Sequence, residues 1–344
     1  MFKKFFPNLK KDLSIDLGTS STLIYVKDKG IVVNEPSVVA INTRTDEIVA
    51  IGDEAKKMVG KTPKHIEAVK PLHEGIISDF EVTEKMLKYF MEKLLSDKLN
   101  ILSSKPRVII GIPLDVTEVE RKAVEDAALG AGAREVFLVE EPMAAAIGSR
   151  MPVQESTGNL IVDLGGGTTQ IAVISLAGVV TSKSIRVAGD SMNKNIIQYV
   201  RENFNLLIGD ISAENIKIKI GSVFPQEKPI EFPVSGRDLI TGLPKEIIVT
   251  DAEIRDAIIR PVKNIVANIK AVIESTPPEL VSDIYKRGIV LSGGGALLRG
   301  IGDIVRQETK IPVTIIDDPL TTVVRGAGII LEDIDNLEDV LIPS

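Results

Sequence analysis

The sequence predicts an α/β protein of two lobes, each a mixed, mostly five-stranded sheet flanked by helices. Three observations point there. At 344 residues the chain has the length of about two domains. Apolar, strand-like runs alternate with amphipathic, helix-like stretches along it. One hairpin pattern, Asp-Leu-Gly-x-x-x-Thr between apolar strands, stands once in each half, at 16–22 and 163–169. Composition narrows the chemistry. Hydrophobic residues at 44% against 26% charged give the balance of a folded chain rather than a disordered one. A net charge of −7 argues against a nucleic-acid partner. The lack of cysteine excludes disulfides, thiolate metal sites and a cysteine nucleophile. His65 and His73 are the only histidines, too few for a zinc centre. No run of about 18 apolar residues exists to span a membrane, and the opening MFKKFFPN is too short for a secretory signal, so an intracellular protein is expected.

Residues 1–11 set Phe2, Phe5, Phe6 and Leu9 at i, i+3, i+4 and i+7, one helical face, beside Lys3, Lys4, Lys10 and Lys11. Apolar insertion beside lysines suits an anionic membrane surface. Pro7 weakens such a helix, and a frayed, solvated terminus is the plainer alternative.

The first hairpin comes next. Residues 13–17 and 22–26 are strands, and Gly18, Thr19, Ser20 and Ser21 fill the turn. Glycine lets the backbone approach a polyphosphate and aim N–H groups at it, while the Ser and Thr hydroxyls add donors. Asp16, at the strand end, can hold a hydrated Mg²⁺ through its waters. The second hairpin repeats this with Asp163 and the turn Gly165, Gly166, Gly167, Thr168. Facing each other, two such hairpins would clamp the phosphates of a nucleotide. Either alone reads as a plain turn; the repeat with matching flanks is what argues for phosphate. No G-x-x-x-x-G-K-[ST] loop and no strand–GxGxxG–helix unit occurs, so P-loop and Rossmann sites are unsupported. A third glycine cluster, Gly293, Gly294, Gly295 and Ala296, succeeds the apolar run 289–292 and reads as strand, turn and helix, flat enough to pack on an adenine or a phosphate. Between the hairpins, Glu140 and Glu141 precede Pro142 at a helix start, where carboxylate and proline are also ordinary capping chemistry. Glu214 and Lys217, three apart, share one helix face, as either ligand contacts or an intrahelical ion pair.

The strings DLGTSSTLIYVKDKGIVVNEPSVVA, LVEEPMAAAIG, LIVDLGGGTTQIAVISLAGVVTS, SIRVAGD and GIVLSGGGALLRGI resemble those of the MreB family, the bacterial actin-like cell-shape proteins of the actin–Hsp70–hexokinase superfamily. The likeness runs from about residue 12 to about 328. It implies a two-lobed actin-like ATPase fold with a small insertion in each lobe: 12–37, 76–154 and 324–344 as the first core, 38–75 as its insertion, 155–190 and 255–323 as the second core, and 191–254 as its insertion. It implies ATP or ADP with Mg²⁺ as ligands, ATP hydrolysis, and polymerisation into paired filaments on the cytoplasmic face of the membrane, with cell-wall elongation proteins as partners. Residue by residue, it assigns Gly18, Thr19, Ser20, Ser21, Gly165, Gly166, Gly167, Thr168 and Asp190 to the phosphates. Glu214, Lys217, Gly293, Gly294, Gly295 and Ala296 go to the nucleoside, and Asp16 and Asp163 to the metal. Glu141, before the proline, becomes the residue that orients the attacking water, leaving Glu140 the capping role. Ile101 and Leu102, after an amphipathic helix at 82–95, fall where the family has a loop that dips into the bilayer; packing onto the lobe is their plainer reading. The chain departs from the family at Gln170, where an acidic residue is usual, at Asn193 in the run 189–195, and at Lys219. Slower hydrolysis or altered phosphate release is the expectation from these, as in a divergent paralogue serving shape or motility in a wall-less cell. An Hsp70-like chaperone lacks room for its substrate domain, and a sugar kinase lacks a polar substrate cluster. The acidic tail 331–344 is expected to end loosely.

Overall fold

The computed structural model describes residues 12–95 and 105–343. The chain forms two compact units, Met1–Glu155 with Leu176–Gly178 and Thr321–Ser344, and Ser156–Ser175 with Val179–Leu320. Phe2, Phe5, Phe6, Leu9, Ile101 and Leu102 lie outside the described residues.

The first unit is built on β1 (Leu13–Leu17), β2 (Ser21–Val26), β3 (Gly30–Pro36), β4 (Arg107–Ile112) and β5 (Glu135–Glu140). They lie in the order β3-β2-β1-β4-β5. The two hairpin partners are antiparallel, and β4 and β5 continue parallel to β1. The alternating apolar residues of β1, Leu13 and Ile15, are fully buried, as a strand packed on its core face requires. Asp12 fixes β4 beside β1: its carboxylate accepts from the backbone N–H, Nε and Nη2 of Arg107 at 2.8–3.0 Å. The Phe80–Leu95 helix lays Val82, Met86, Leu87, Phe90 and Met91 on this sheet, a stripe at helical period. Its start is tied by Asp79, whose carboxylate accepts from Val82 N–H at 3.1 Å. The Glu118–Gly130 helix begins with a capping box between Thr117 and Glu120.

The Glu141–Gly148 helix is held against Thr322–Glu332 by an unusually close crossing. A Cβ on Gly326 would stand 1.7 Å from the Ala144 carbonyl oxygen, and one on Gly148 would stand 2.1 Å from that of Thr322. Only glycine fits where two helix backbones touch. Residues 38–75 add a small three-stranded sheet, in the order Glu47–Ile51, Val39–Asn42, Ile66–Val69, with its own core of Val38, Ala40 and Ala55. The acidic tail does not end loosely: Leu341 bridges antiparallel to Val139 and Ile342 N–H donates to the Leu138 carbonyl at 2.9 Å. Backbone pairing to an open sheet edge outweighs the solvation expected of an acidic terminus.

The second unit repeats the plan. β6 (Asn159–Leu164), β7 (Thr169–Ser175), β8 (Gly178–Ile185), β9 (Ile289–Ser292) and β10 (Val313–Ile315) lie in the order β8-β7-β6-β9-β10, the same order as in the first unit. Every residue of β6 and β7 is buried, which is why both read as continuous apolar runs. The Asp251–Ser275 helix, opened by a Thr250–Glu253 capping box, buries Ile254, Ile258, Val262, Ile265, Ile269 and Val272 in the core. A second small sheet joins Leu206–Leu207, Glu231–Asp238 and Pro244–Thr250. Within the Glu231–Asp238 strand Pro233 pairs with Ile248 alone, a place where a missing N–H costs no ladder bond.

Candidate functional site

In the first unit the β1–β2 hairpin closes with Gly18 N–H donating to the Ser21 carbonyl at 3.1 Å. A Cβ on Gly18 would sit 2.9 Å from that oxygen, so the turn demands glycine. Ser20 is exposed at its tip and Ser21 is half-buried. Thr19 is nearly buried, and its hydroxyl oxygen accepts from Gly75 N–H at 2.9 Å. Asp16, half-buried, stands in register between Leu23 on β2 and Gly111 on β4. A Cβ on Gly111 would lie 3.4 Å from Glu141 Cγ. Gly111 thus leaves room for the Val323 and Glu141 side chains, Val323 Cγ1 standing 3.1 Å from that Cβ position, a role readable only as an odd glycine inside a strand. Glu141 opens its helix, followed by Pro142, and is 8% exposed. Glu140 takes the N-cap position, but its side chain makes no capping hydrogen bond. That corrects the expected capping role: with an extended Glu140 backbone and Pro142 in the first turn, the helix is started by backbone conformation. Burial pushes the Glu140 carboxyl above the usual carboxylate range, partly offset by the Arg121 guanidinium.

In the second unit the matching turn closes the same way, Gly165 N–H to the Thr168 carbonyl at 2.9 Å, with a Cβ on Gly165 again 2.9 Å from that oxygen. The turn is gripped by backbone. The carbonyls of Gly165 and Gly166 accept from Gly189 N–H at 3.3 Å and Asp190 N–H at 2.8 Å, at the head of the Gly189–Phe204 helix. Lys217, on the Asp210–Ile220 helix, reaches the same place and donates from Nζ to the Gly189 carbonyl at 2.9 Å. Glu214 stands half-buried one turn before it. The third glycine cluster packs onto the root of the turn: Gly293 has φ +79, and its Cβ would meet the Leu164 carbonyl oxygen at 2.4 Å. Gly293 leads into a short 3₁₀ turn, Gly294–Leu297, and the expected following helix starts at Ile301. Ala296 is buried in that turn. The Gly165–Thr168 turn, Asp190, Lys217 and the 293–296 loop therefore all belong to one unit.

Asp163 lies behind the second turn, 6% exposed, in register between Gln170 on β7 and Ser292 on β9. Its Oδ1 is buried without a hydrogen-bond partner. Burial pushes its carboxyl up to about 6, partly offset by the neighbouring Ser292 hydroxyl. Asn193, 6% exposed, likewise has an Oδ1 buried without a partner. An orphaned buried oxygen is costly, and the Asp163 carboxylate, behind the turn, is the charged group among those of this unit, which include Thr157, Ser184 and Ser292 hydroxyls. The sequence singled out Asn193 only as a departure, and Ser292 only as a flank of the glycines.

The family model for MreB/Mbl protein matches residues 10–339. The chain belongs to the MreB/Mbl family. This family member is 50% identical over 339 residues to cell shape-determining protein MreB of Escherichia coli (strain K12), covering 97% of each chain. Among solved structures it matches MreB5 of Spiroplasma citri bound to ADP, with a TM-score of 0.91, 37% identity, and 96% of this chain and 99% of that one covered. The same protein bound to AMPPNP matches with a TM-score of 0.89, 36% identity, and 97% and 99% coverage. The fold is that of this actin-like family, and the twin five-stranded mixed sheets with equal strand order are its signature here. Among the described residues no helix is long and apolar enough to cross a membrane.

Proposed function

We propose that this chain binds and hydrolyses ATP, polymerises with copies of itself into filaments on an anionic membrane surface, and determines cell shape together with cell-wall elongation proteins. The observation that carries the reading is the likeness to MreB5, solved with ADP and with AMPPNP, at a chain whose own two turns share one geometry. The name of the E. coli relative adds the shape-determining role.

In this reading the backbone N–H groups of Gly18, Thr19, Ser20, Ser21, Gly165, Gly166, Gly167 and Thr168 donate to phosphate oxygens, with Asp190 alongside. Lys217, Glu214 and the 293–296 loop hold the nucleoside. The donor set fits Mg²⁺: Asp163 offers a buried carboxylate with an unpartnered oxygen, and Asp16 is the matching residue of the other hairpin. Both would hold a hydrated cation through its waters, and when bound it neutralises phosphate charge. Glu141 accepts a hydrogen bond from the water that attacks the γ-phosphorus; the bond to the bridging oxygen breaks, and ADP and inorganic phosphate leave. Phosphoryl transfer needs positioning and charge stabilisation above all, so a chain with only two histidines is equipped for it. Gln170, opposite Asp163 in register, adds no negative charge there, and a slow turnover is the outcome we assign to it. Phe2, Phe5, Phe6, Leu9, Ile101 and Leu102 are the proposed membrane contacts, weak singly and multiplied by avidity along a filament.

The test is phosphate release read beside sedimentation with anionic liposomes and Mg-ATP, for the parent, Glu141→Ala and a chain lacking residues 1–11. The parent pellets only with nucleotide. Glu141→Ala still assembles but releases phosphate about 100-fold more slowly or less, and the truncated chain assembles while leaving the liposomes. A parent that binds ATP yet stays monomeric at every concentration ends the filament reading.

A further inference from the structure

Pro261 stands buried inside the Asp251–Ser275 helix. A proline nitrogen carries no hydrogen, so the Ala257 carbonyl, four residues back, receives no helical bond from it. Such an oxygen is costly when left unpaired inside a protein. Asn195, half-buried on the Gly189–Phe204 helix, supplies a donor instead: its Nδ2 donates to the Ala257 carbonyl at 3.2 Å. The neighbouring face of that helix is apolar, with Met192, Ile196 and Val200 recurring every four residues in the core. Apolar contact keeps a helix on its core but has no direction. A hydrogen bond weakens steeply as its geometry departs from the ideal, so Asn195 adds direction to the contact between the two helices.

The head of the same helix grips the second turn. Gly189 and Asp190 N–H donate to the Gly165 and Gly166 carbonyls. A planar trans peptide points its C=O and N–H in opposite directions. With both carbonyls drawn toward the helix, the N–H groups of Gly166 and Gly167 are turned away from it.

We propose that Asn195 is a positioning residue of the second phosphate turn. By bonding the carbonyl that Pro261 leaves open, it fixes the Gly189–Phe204 helix against the Asp251–Ser275 helix, and with it the direction of the Gly166 and Gly167 N–H groups. The inference rests on the nucleotide reading above and adds to it which residue outside the turn orients its donors. The Asp251–Ser275 helix is the fixed member, since one of its faces is buried in the core. Three links then run from core to site: the Ala257 carbonyl, the Asn195 amide and the helix head. Donors oriented before the ligand arrives spare it the free energy of ordering them. Without the amide, the apolar stripe still holds the helix down, but its rotation and axial position are less defined, and phosphate binding must restore them. The turn N–H groups meet phosphate oxygens in bound substrate and product alike. The effect therefore falls on affinity rather than on the rate of the bound state.

The experiment is calorimetric titration with Mg-ADP, beside steady-state phosphate release, on the full chain. The variants are Asn195→Ala, Pro261→Ala and the two combined, each shown by urea unfolding to be folded under assay conditions. Asn195→Ala weakens ADP binding about fivefold, as loss of one hydrogen bond predicts, and raises KM by the same factor with kcat within about twofold of the parent. Pro261→Ala gives the Ala257 carbonyl a helical donor from the N–H at 261. In that background Asn195→Ala changes ADP affinity less than about twofold, a rescue that a general loosening of the unit would not produce. Asn195→Asp, which keeps the side chain's size and gives up its donor, weakens ADP binding at least as much as alanine does, and carries the test if the alanine variant does not fold. ADP affinity decides the matter even where turnover is too slow to read. Folded Asn195 variants that bind ADP within twofold of the parent overturn this inference alone, as does an equal loss with and without Pro261→Ala. A parent that binds no ADP overturns the nucleotide reading and this inference with it.

Discussion

The Gly18–Ser21 and Gly165–Thr168 turns close with the same hydrogen bond and the same forbidden Cβ position, yet they are supported by different means. The first adds side-chain hydroxyls to one backbone bond, Ser37 N–H on the Ser20 carbonyl: Ser37 on Gly18, Thr22 beside Ser37, and Thr19 accepting from Gly75. The second is held by backbone and by the absence of side chains: Gly189 and Asp190 N–H on the turn carbonyls, and Gly293 pressed on Leu164. The carboxylates behind them differ too. Asp16 is half-buried beside Gly111, while Asp163 is buried beside Ser292 and Gln170. One motif in sequence has become an adjustable turn in one unit and a rigid one in the other. Hydroxyl bonds can be exchanged with a ligand; a backbone contact at van der Waals limit cannot.

That contrast can be broken from either side. The largest effect belongs to Gly293→Ala. The added methyl meets a backbone carbonyl at 2.4 Å, in a conformation with φ +79, and the expected cost is about 4 kcal/mol or more. Urea unfolding measures it, and a variant within about 1 kcal/mol of the parent would refute the rigid reading. Next is the pH dependence of Asp163. Its carboxyl stands raised from 3.8 to about 6, so the nucleotide-free fold binds its proton more tightly than the unfolded chain does. This contribution is complete below about pH 4 and disappears as pH rises through about 6, amounting to roughly 3 kcal/mol. Asp163→Asn should flatten that part of the stability–pH curve and stabilise the nucleotide-free protein at pH 7; an unchanged curve would show the group to be better solvated than it is here. Gln170→Glu sets a second carboxylate opposite Asp163, and should cost about 2 kcal/mol at pH 7 without nucleotide. Thermal unfolding with and without Mg-ADP checks this, the loss shrinking on binding. The smallest effects are the two capping boxes. Thr250→Ala, part-buried, should cost about 1 kcal/mol and Thr117→Ala, exposed, about half that. Equal losses would show that burial does not grade them.

Local features were legible in the sequence. Each hairpin carries its glycine and its aspartate within seven residues, and the apolar runs around them are the central strands. The helix face of Glu214 and Lys217 was readable from spacing, but its target, the Gly189 carbonyl, was not. What escaped is what register and long-range closure decide. Ser37 and Gly75 bond to the first turn from 19 and 56 residues away, and neither type is unusual in a loop. Gly111 and Ser292 matter only because parallel pairing sets them beside Asp16 and Asp163. Spacing tells which residues share a strand; the neighbouring strand decides what each of them faces. Glu140 shows the converse error, since a glutamate before a helix looks like a cap whether or not its side chain turns inward.

The bridge from Leu341 to Val139 has a practical meaning for anyone handling the protein. β5 is the outer strand of its sheet, and the last described residues cover the end of it that leads into Glu140 and Glu141. An uncovered outer strand is a template for recruiting foreign strands. Trimming the chain before residue 338, or loading its end with a bulky fluorescent tag that pulls the bridge away, would expose that template. Clumping from such a cause would pass easily for genuine polymerisation in a pelleting assay, so an intact carboxyl end with the label placed elsewhere is the safer design.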